Sequence, residues 1–485
     1  MKKNILSIVA ALIILASLAG CSGREEPGSG AGPESAETLE SAEASESAEA
    51  AEASESAGAE ETPEAAEASE SAESAETEEA PEASETAEAE SPSGEEDKGD
   101  TGVTGETGSL RKAVNSFNRS LYATFEEDGD AFYSPFSLVS ALALTKLSAK
   151  GETAEEIGKA LSIEDEGEFL EEMKLYNERK QGEKAFLNSA NALFIDKSLN
   201  LSPGFAEDFK KQAEEYFRGE FKALDFKGDL EGAKKEISAF VKDKTEGMIS
   251  DYDPVAGNQT VADILNAVYF YGEWQEKFES NDTFKETFHG KGGDRDVEMM
   301  HMSGESFRYV SDVKGIKAVA LPYAGGDYEM DILLKKDEDK KDCSGLLDGS
   351  EEEVLKALDE APETELRILI IPKFNMDLKI EELKKKLESL GIKRAFTDEA
   401  DFSLLAENLK ISDISHRAKV EVDEEGSRAA AVTEIMMELT SAAPTDLPEE
   451  EFIADRPFIF FIRDRKSGII LFTGRINDLN NPKNP

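Results

Sequence analysis

Residues 424–441 read EEGSRAAAVTEIMMELTS, and no single secondary structure accounts for them. Read as a strand, the odd positions Ser427, Ala429, Ala431, Thr433, Ile435 and Met437 carry no charge. Arg428, Glu434 and Glu438 fall on the even face, so the alternation leaves one buriable side. Read as a helix, Val432, Ile435, Met436 and Leu439 form an i, i+3, i+4, i+7 stripe, and the alanines are strong helix formers. A loop that turns into a strand needs this double character. Gly426 permits the sharp backbone change of a hinge, and Ser427, Ala429 and Ala431 are small enough to slide between existing strands.

Outward from this stretch, residues 108–485 have the composition of one large globular domain of mixed α and β structure. Leu110, Val114, Phe117, Leu121 and Phe125 make the stripe of a first helix. Ser134 can cap a second helix whose first turn holds Pro135, and Thr153 with Glu156 reads as the capping box of a third. Strands are expected at 190–195, 220–226, 316–322, 328–334 and 366–372, and helices at 204–217 and 230–245. The run 261–270 (VADILNAVYF) is nearly all apolar, as a central strand buried on both faces would be. A helix over 380–390 is expected to stop at Gly391. The C-terminal PFIFFIRDRKSGIILFTGRI reads as two strands joined at Lys466, Ser467 and Gly468.

The N-terminal fifth differs in kind. Residues 1–20 (MKKNILSIVAALIILASLAG) have two lysines, a short apolar run and small residues, the pattern of a signal peptide. The run ends Leu18, Ala19, Gly20, Cys21, similar to the lipobox of bacterial lipoproteins, which would make Cys21 the lipidated first residue of an exported, envelope-anchored chain. From residue 21 to 107 the chain is almost entirely Ala, Glu, Ser, Thr, Pro and Gly, and Arg24 and Lys98 are its only bases. Such a segment cannot bury enough apolar surface to offset ordering, and its charges repel. It is expected to be a disordered acidic stalk spanning on the order of 50 Å.

The net charge of −51 and the lack of a basic patch point away from nucleic acid. With Cys21 acylated, Cys343 has no disulfide partner, and beside Asp342 and Ser344 it reads as an ordinary thiol in a polar loop. Among the three histidines, His289 and His301 have no metal-ligand spacing, and no GxSxG, HExxH, CxxC or Walker-type motif occurs. No catalytic centre, metal or cofactor is expected.

Glu424, Glu425, Gly426 and Ser427, followed by Ala429, Ala430, Ala431 and Thr433, resemble the hinge of the serpin family of protease inhibitors. Arg428 departs from the acidic residue more usual there, and Val432 from alanine, but both lie on the outward face. The resemblance extends from about Leu110 to Asp478 through Ser134, Pro135 and Ser137, then Asn191 to Phe194, Leu265 to Phe270, Trp274, Leu321 to Tyr323, Ile371 to Phe374, Ala400 to Ser403, His416 to Ala418 and Asp455 to Phe458. It implies the serpin fold: α+β, a large central sheet, surrounding helices and an exposed reactive loop.

The same resemblance implies that Ser134, Ser137, Asn266 and His416 form a structural polar network beneath the main sheet. It implies a monomer that traps a target serine protease as a covalent acyl complex. The family's usual spacing puts the cleaved bond at Thr440-Ser441, with Leu439-Thr440 as the alternative, and no Lys or Arg lies between Ala429 and Ala454. A non-inhibitory serpin used as a binding scaffold is the nearest alternative; a solute-binding or adhesion lipoprotein would not need a switching loop.

Overall fold

The structure is a computed structural model that describes residues 108–126, 128–202, 204–337, 342–427 and 449–479. The expected signal peptide, Cys21 and the expected stalk lie outside the described residues, as does 428–448. Elements are numbered in chain order. The helices are α1 (Gly108–Tyr122), α2 (Pro135–Lys146), α3 (Gly151–Ala160), α4 (Glu166–Glu178), α5 (Phe205–Phe217), α6 (Leu230–Lys244), α7 (Ser350–Glu360) and α8 (Leu383–Ser389).

Three sheets carry the fold. The main sheet runs β12 (Phe374–Lys379), β13 (Asp413–Asp423), β14 (Gly426–Ser427), β4 (Ala262–Glu273), β2 (Ala185–Asp196) and β3 (Glu220–Leu224). A seven-stranded sheet runs β1 (Ala131–Tyr133), β17 (Ile470–Ile476), β16 (Phe458–Asp464), β9 (Tyr328–Lys335), β8 (Ile316–Pro322), β7 (Ser306–Val313) and β10 (Glu363–Glu365). The third holds β15 (Glu451–Ile453), β11 (Ile368–Pro372), β6 (Gly293–Met302) and β5 (Thr283–Gly290). Helix α2 is apolar all round, buried from Pro135 to Thr145, and packs against β2 and β4 of the main sheet and β17 of the second. A helix with no polar face needs cover on all sides, and its place between two sheets supplies it.

The mixed α+β class and the expected strands are present, with differences that have local causes. Strand β4 runs on past Phe270 to Glu273. The capping box is absent: α3 begins at Gly151, the Thr153 hydroxyl accepts from the Asp401 N–H at 3.0 Å, and Glu156 accepts from the N–H groups of Lys393 and Arg394 at 2.8 and 2.7 Å. Both side chains tie α3 to the turn beyond α8 instead of closing their own helix. Helix α8 starts only at Leu383, because Ile380 still donates its N–H to the His416 carbonyl and belongs to the β12–β13 ladder. Gly391 does end it, at φ +102°.

Cys343 also departs from expectation. It is buried, not part of a polar loop surface, and its thiol donates weakly to the Phe458 and Ile476 carbonyls at 3.4 and 3.6 Å. Burial pushes its pKa well above the ordinary thiol value, which leaves it unreactive.

Candidate functional site

The site lies where β13 ends and the loop begins. After the turn Glu424-Glu425 the chain doubles back as β14, whose two residues sit between β13 and β4. Gly426 pairs with Asp423 and Glu273, and Ser427 with Val422 and Gly272. At Gly426 φ is +154°, and an added Cβ would stand 2.8 Å from the Glu273 Cα and closer still to the Gly272 carbonyl oxygen. No side chain fits there.

Side chains from four segments hold this stem. The Ser427 hydroxyl is buried and lies 2.6 Å from the Tyr323 hydroxyl. Tyr323 stacks on Trp274, ring centres 4.7 Å apart and planes 7° apart. The Trp274 indole donates to the Asp423 carbonyl at 2.9 Å, its backbone N–H to the Glu425 carbonyl at 2.9 Å, and the Phe278 N–H to the Glu424 carbonyl at 3.0 Å. The Asp423 carboxylate accepts from the N–H groups of Glu425 and Gly426 at 2.9 and 3.2 Å. Glu424 accepts from the Thr283 hydroxyl at 2.8 Å and pairs with Lys373 at 3.0 Å; Glu425 pairs with Lys277 at 2.6 Å. Burial alone would raise the Glu424 carboxyl, yet its own N–H, Lys373 and Thr283 together hold it below the usual range.

Further along, β13 and β4 meet without an intervening strand. They pair in parallel from Asp413 with Asp263 to Lys419 with Tyr269. His416 lies opposite Asn266, which lies opposite Asn191 on β2. The Ser134 N–H donates to His416 Nε2 at 3.0 Å. A backbone N–H can only donate, so Nδ1 carries the imidazole hydrogen and gives it to the Asn266 side-chain oxygen. The Asn266 amide donates in turn to the Asn191 side-chain oxygen at 2.6 Å and to the Ser137 carbonyl at 2.9 Å, and it also reaches the Ser137 hydroxyl. The Ser137 N–H caps onto the Ser134 hydroxyl at 3.1 Å. Burial lowers the His416 pKa to about 3, so the ring is neutral. A second ring proton would point at the Ser134 N–H. With both ring nitrogens engaged, this imidazole is a strand-to-helix fastener.

The structure thus brings Ser134, Ser137, Asn266 and His416 together and places Glu424, Glu425, Gly426 and Ser427 in the stem. Ala429, Ala430, Ala431, Thr433, Leu439, Thr440 and Ser441 lie outside the described residues. Nothing in the sequence alone assigns Tyr323, Thr283 or Lys373 a role in this site. Asn191 had one legible signal, a polar side chain inside an apolar strand. His289 pairs with Asp294 at 2.9 Å and His301 with Glu286 at 3.1 Å; no metal-holding cluster occurs among the described residues.

Comparison with known proteins agrees across the domain. The family model described as "Serpin (serine protease inhibitor)" matches residues 112–479. An uncharacterized serpin-like protein of Thermococcus kodakarensis is 36% identical over 76% of this chain and 85% of its own length. The leukocyte elastase inhibitor of Bos taurus is 36% identical over 76% of this chain and 99% of its own. Among solved structures, Serpin48 of the insect Tenebrio molitor superposes with a TM-score of 0.64 at 30% identity, over 76% of this chain and 98% of that one. The chain belongs to the serpin family.

Proposed function

We propose that this serpin is a surface-tethered suicide-substrate inhibitor of serine proteases. One observation carries the reading: Gly426 and Ser427 already occupy a strand position between β13 and β4, while the same two strands close on each other lower down. The sheet is open at the end where the loop enters. Continuing the β14 register sets Ala429 between Val420 and Phe270, Ala431 between Ala418 and Val268, and Thr433 between His416 and Asn266. All three share the inward face of Ser427, and the smallest side chains arrive first. Thr433, the one inward residue with a hydroxyl between Ala429 and Met437, reaches the polar pair that insertion separates.

The reaction then belongs to the protease. Its serine hydroxyl adds to the carbonyl of Thr440, the Ser441 amine leaves, and an ester joins the enzyme to the loop. Insertion from the Ser427 end drags the ester-bound enzyme before water can cleave it, so a native fold short of its most stable arrangement drives the trap kinetically. Thr440, or Leu439 in the alternative register, suits a protease with a small or medium apolar pocket. The name of the bovine relative, an elastase inhibitor, favours the same class. Lipidated Cys21 and the acidic stalk hold the monomeric domain away from the cell envelope.

The test incubates the protein with elastase-like, subtilisin-like, chymotrypsin-like and trypsin-like proteases and reads denaturing gels and the released peptide mass. A denaturant-resistant complex with a cut at Thr440-Ser441 is expected with the first group. Ala429→Arg should turn inhibitor into substrate. Clean cleavage without a complex across the panel would make the protein a non-inhibitory serpin.

A further inference from the structure

The described domain begins at Gly108, and Gly108 is part of the rim of a groove of about 730 Å³ between α1 and α7. Leu355 of α7 and Ile470 of β17, both largely buried, lie at its apolar floor, and Arg463 of β16 supplies its inner charge. The groove's carboxylates are already engaged: Glu351 and Glu352 hold Arg119, at 2.6 and 3.3 Å, and Asp359 holds Arg463 at 2.6 Å. Arg111 of α1 and Lys356 of α7 also line it, and neither has an ion-pair or hydrogen-bond partner among the described residues. In a chain of net charge −51, two such cations facing one groove call for an anionic occupant.

We propose that the occupant is the chain's own segment 96–107, EDKGDTGVTGET, folded back along α1. This segment ends where the groove begins. It carries Glu96, Asp97, Asp100 and Glu106 against Lys98 alone, and Val103 is the single large apolar residue between Leu39 and Leu110. Length permits the path: Gly108 to Arg119 covers about 16 Å of helix, whereas twelve extended residues reach about 40 Å. Gly105 and Gly102 allow the reversal. Thr107 stands at the position before Gly108, where a hydroxyl caps a helix, and Glu106 favours the positive end of α1. Val103 then sits in the groove above the floor that Leu355 and Ile470 form, and Asp97 or Asp100 bridges Arg111 and Lys356. The docked stretch fixes where the rest of the stalk leaves the domain, independently of the loop's role in inhibition.

Hydrogen–deuterium exchange on the full chain in detergent tests this. Amides 97–106 should exchange at least tenfold more slowly than those of 51–61. The double variant Arg111→Ser/Lys356→Ser, at two exposed positions, should remove that protection, and Val103→Ser should weaken it. Raised salt should weaken it too, since the pairs lie near water. Fast exchange of 97–106 in the unaltered chain overturns the proposal, and so does protection that survives the double variant. Concentration-dependent protection of α1 and α7 without protection of 97–106 would assign the groove to a second copy and overturn it as well.

Discussion

The two ends of the β13–β4 seam are built on opposite terms. At the loop end the strands stand apart and accept Gly426 and Ser427, held by a stacked Trp274–Tyr323 pair, backbone hydrogen bonds and the ion pairs of Glu424 with Lys373 and Glu425 with Lys277. At the other end they pair directly over seven register positions, locked by the buried His416, Asn266 and Asn191. The first end is a docking place that a strand can extend from. The second is a closed ladder in which every separation exposes a buried polar group. On the proposed mechanism, insertion would have one direction, and its main cost would fall where His416 faces Asn266.

The largest change should come from destroying the open end. Gly426→Val puts a branched side chain at φ +154° against the Gly272 and Glu273 backbone, and β14 cannot stay. The covalent complex with a susceptible protease should fall on the order of tenfold or more, a change of about 1.4 kcal/mol or above. An unchanged complex yield would show that the lodged residues do not guide insertion. Weakening the closed end comes next. His416→Ala strips the Ser134 N–H of its acceptor, with an expected loss of about 3 kcal/mol from the orphaned donor and the cavity together. Equilibrium denaturation measures it, and a loss below about 1 kcal/mol would mean that the lock is elsewhere.

Protonation probes the same end more gently. The unfolded imidazole titrates near 6.5 and the native one near 3. Between those values the unfolded chain holds the extra proton, so the His416 contribution is complete above pH 6.5 and is lost progressively as pH falls toward 3. The denaturation midpoint should drop between pH 7.5 and 4.5, and less so in His416→Ala; equal drops would remove His416 from the account. Smallest of all, Tyr323→Phe removes the bond to Ser427 and should cost about 1 kcal/mol. A drop in complex yield without any change in stability would place the effect in insertion alone.

Much of this was legible in the sequence, for reasons that also mark the limit. Residues 261–270 read as a central strand because both faces are buried and both are apolar. The outer strand β5 is not legible in the sequence, since Phe284, Lys285, Glu286 and Thr287 are all exposed and leave no buried face to give a period. Glu156 looked like a cap because spacing carries no information about the turn 237 residues away that takes its carboxylate. The hinge was visible as a run of small residues with two periods at once. Its partners were not, because Tyr323 meets Ser427 across 104 residues and Thr283 meets Glu424 across 141.

The two-residue turn between β13 and β14 bears on how the protein is made. Pairing β13 with the chain that follows it is a hairpin, the most local contact in the main sheet. Pairing β13 with β4 joins residues 150 apart, as His416 with Asn266, and closes a far longer loop. On contact order alone the hairpin should zip up first, which on the proposed mechanism would leave a spent molecule, its sheet filled before any protease arrives. Alanine is a poor strand former and a good helix former. Ala429, Ala430 and Ala431, separated from Ser427 only by Arg428, are therefore expected to stall the hairpin long enough for β4 to reach β13 during folding.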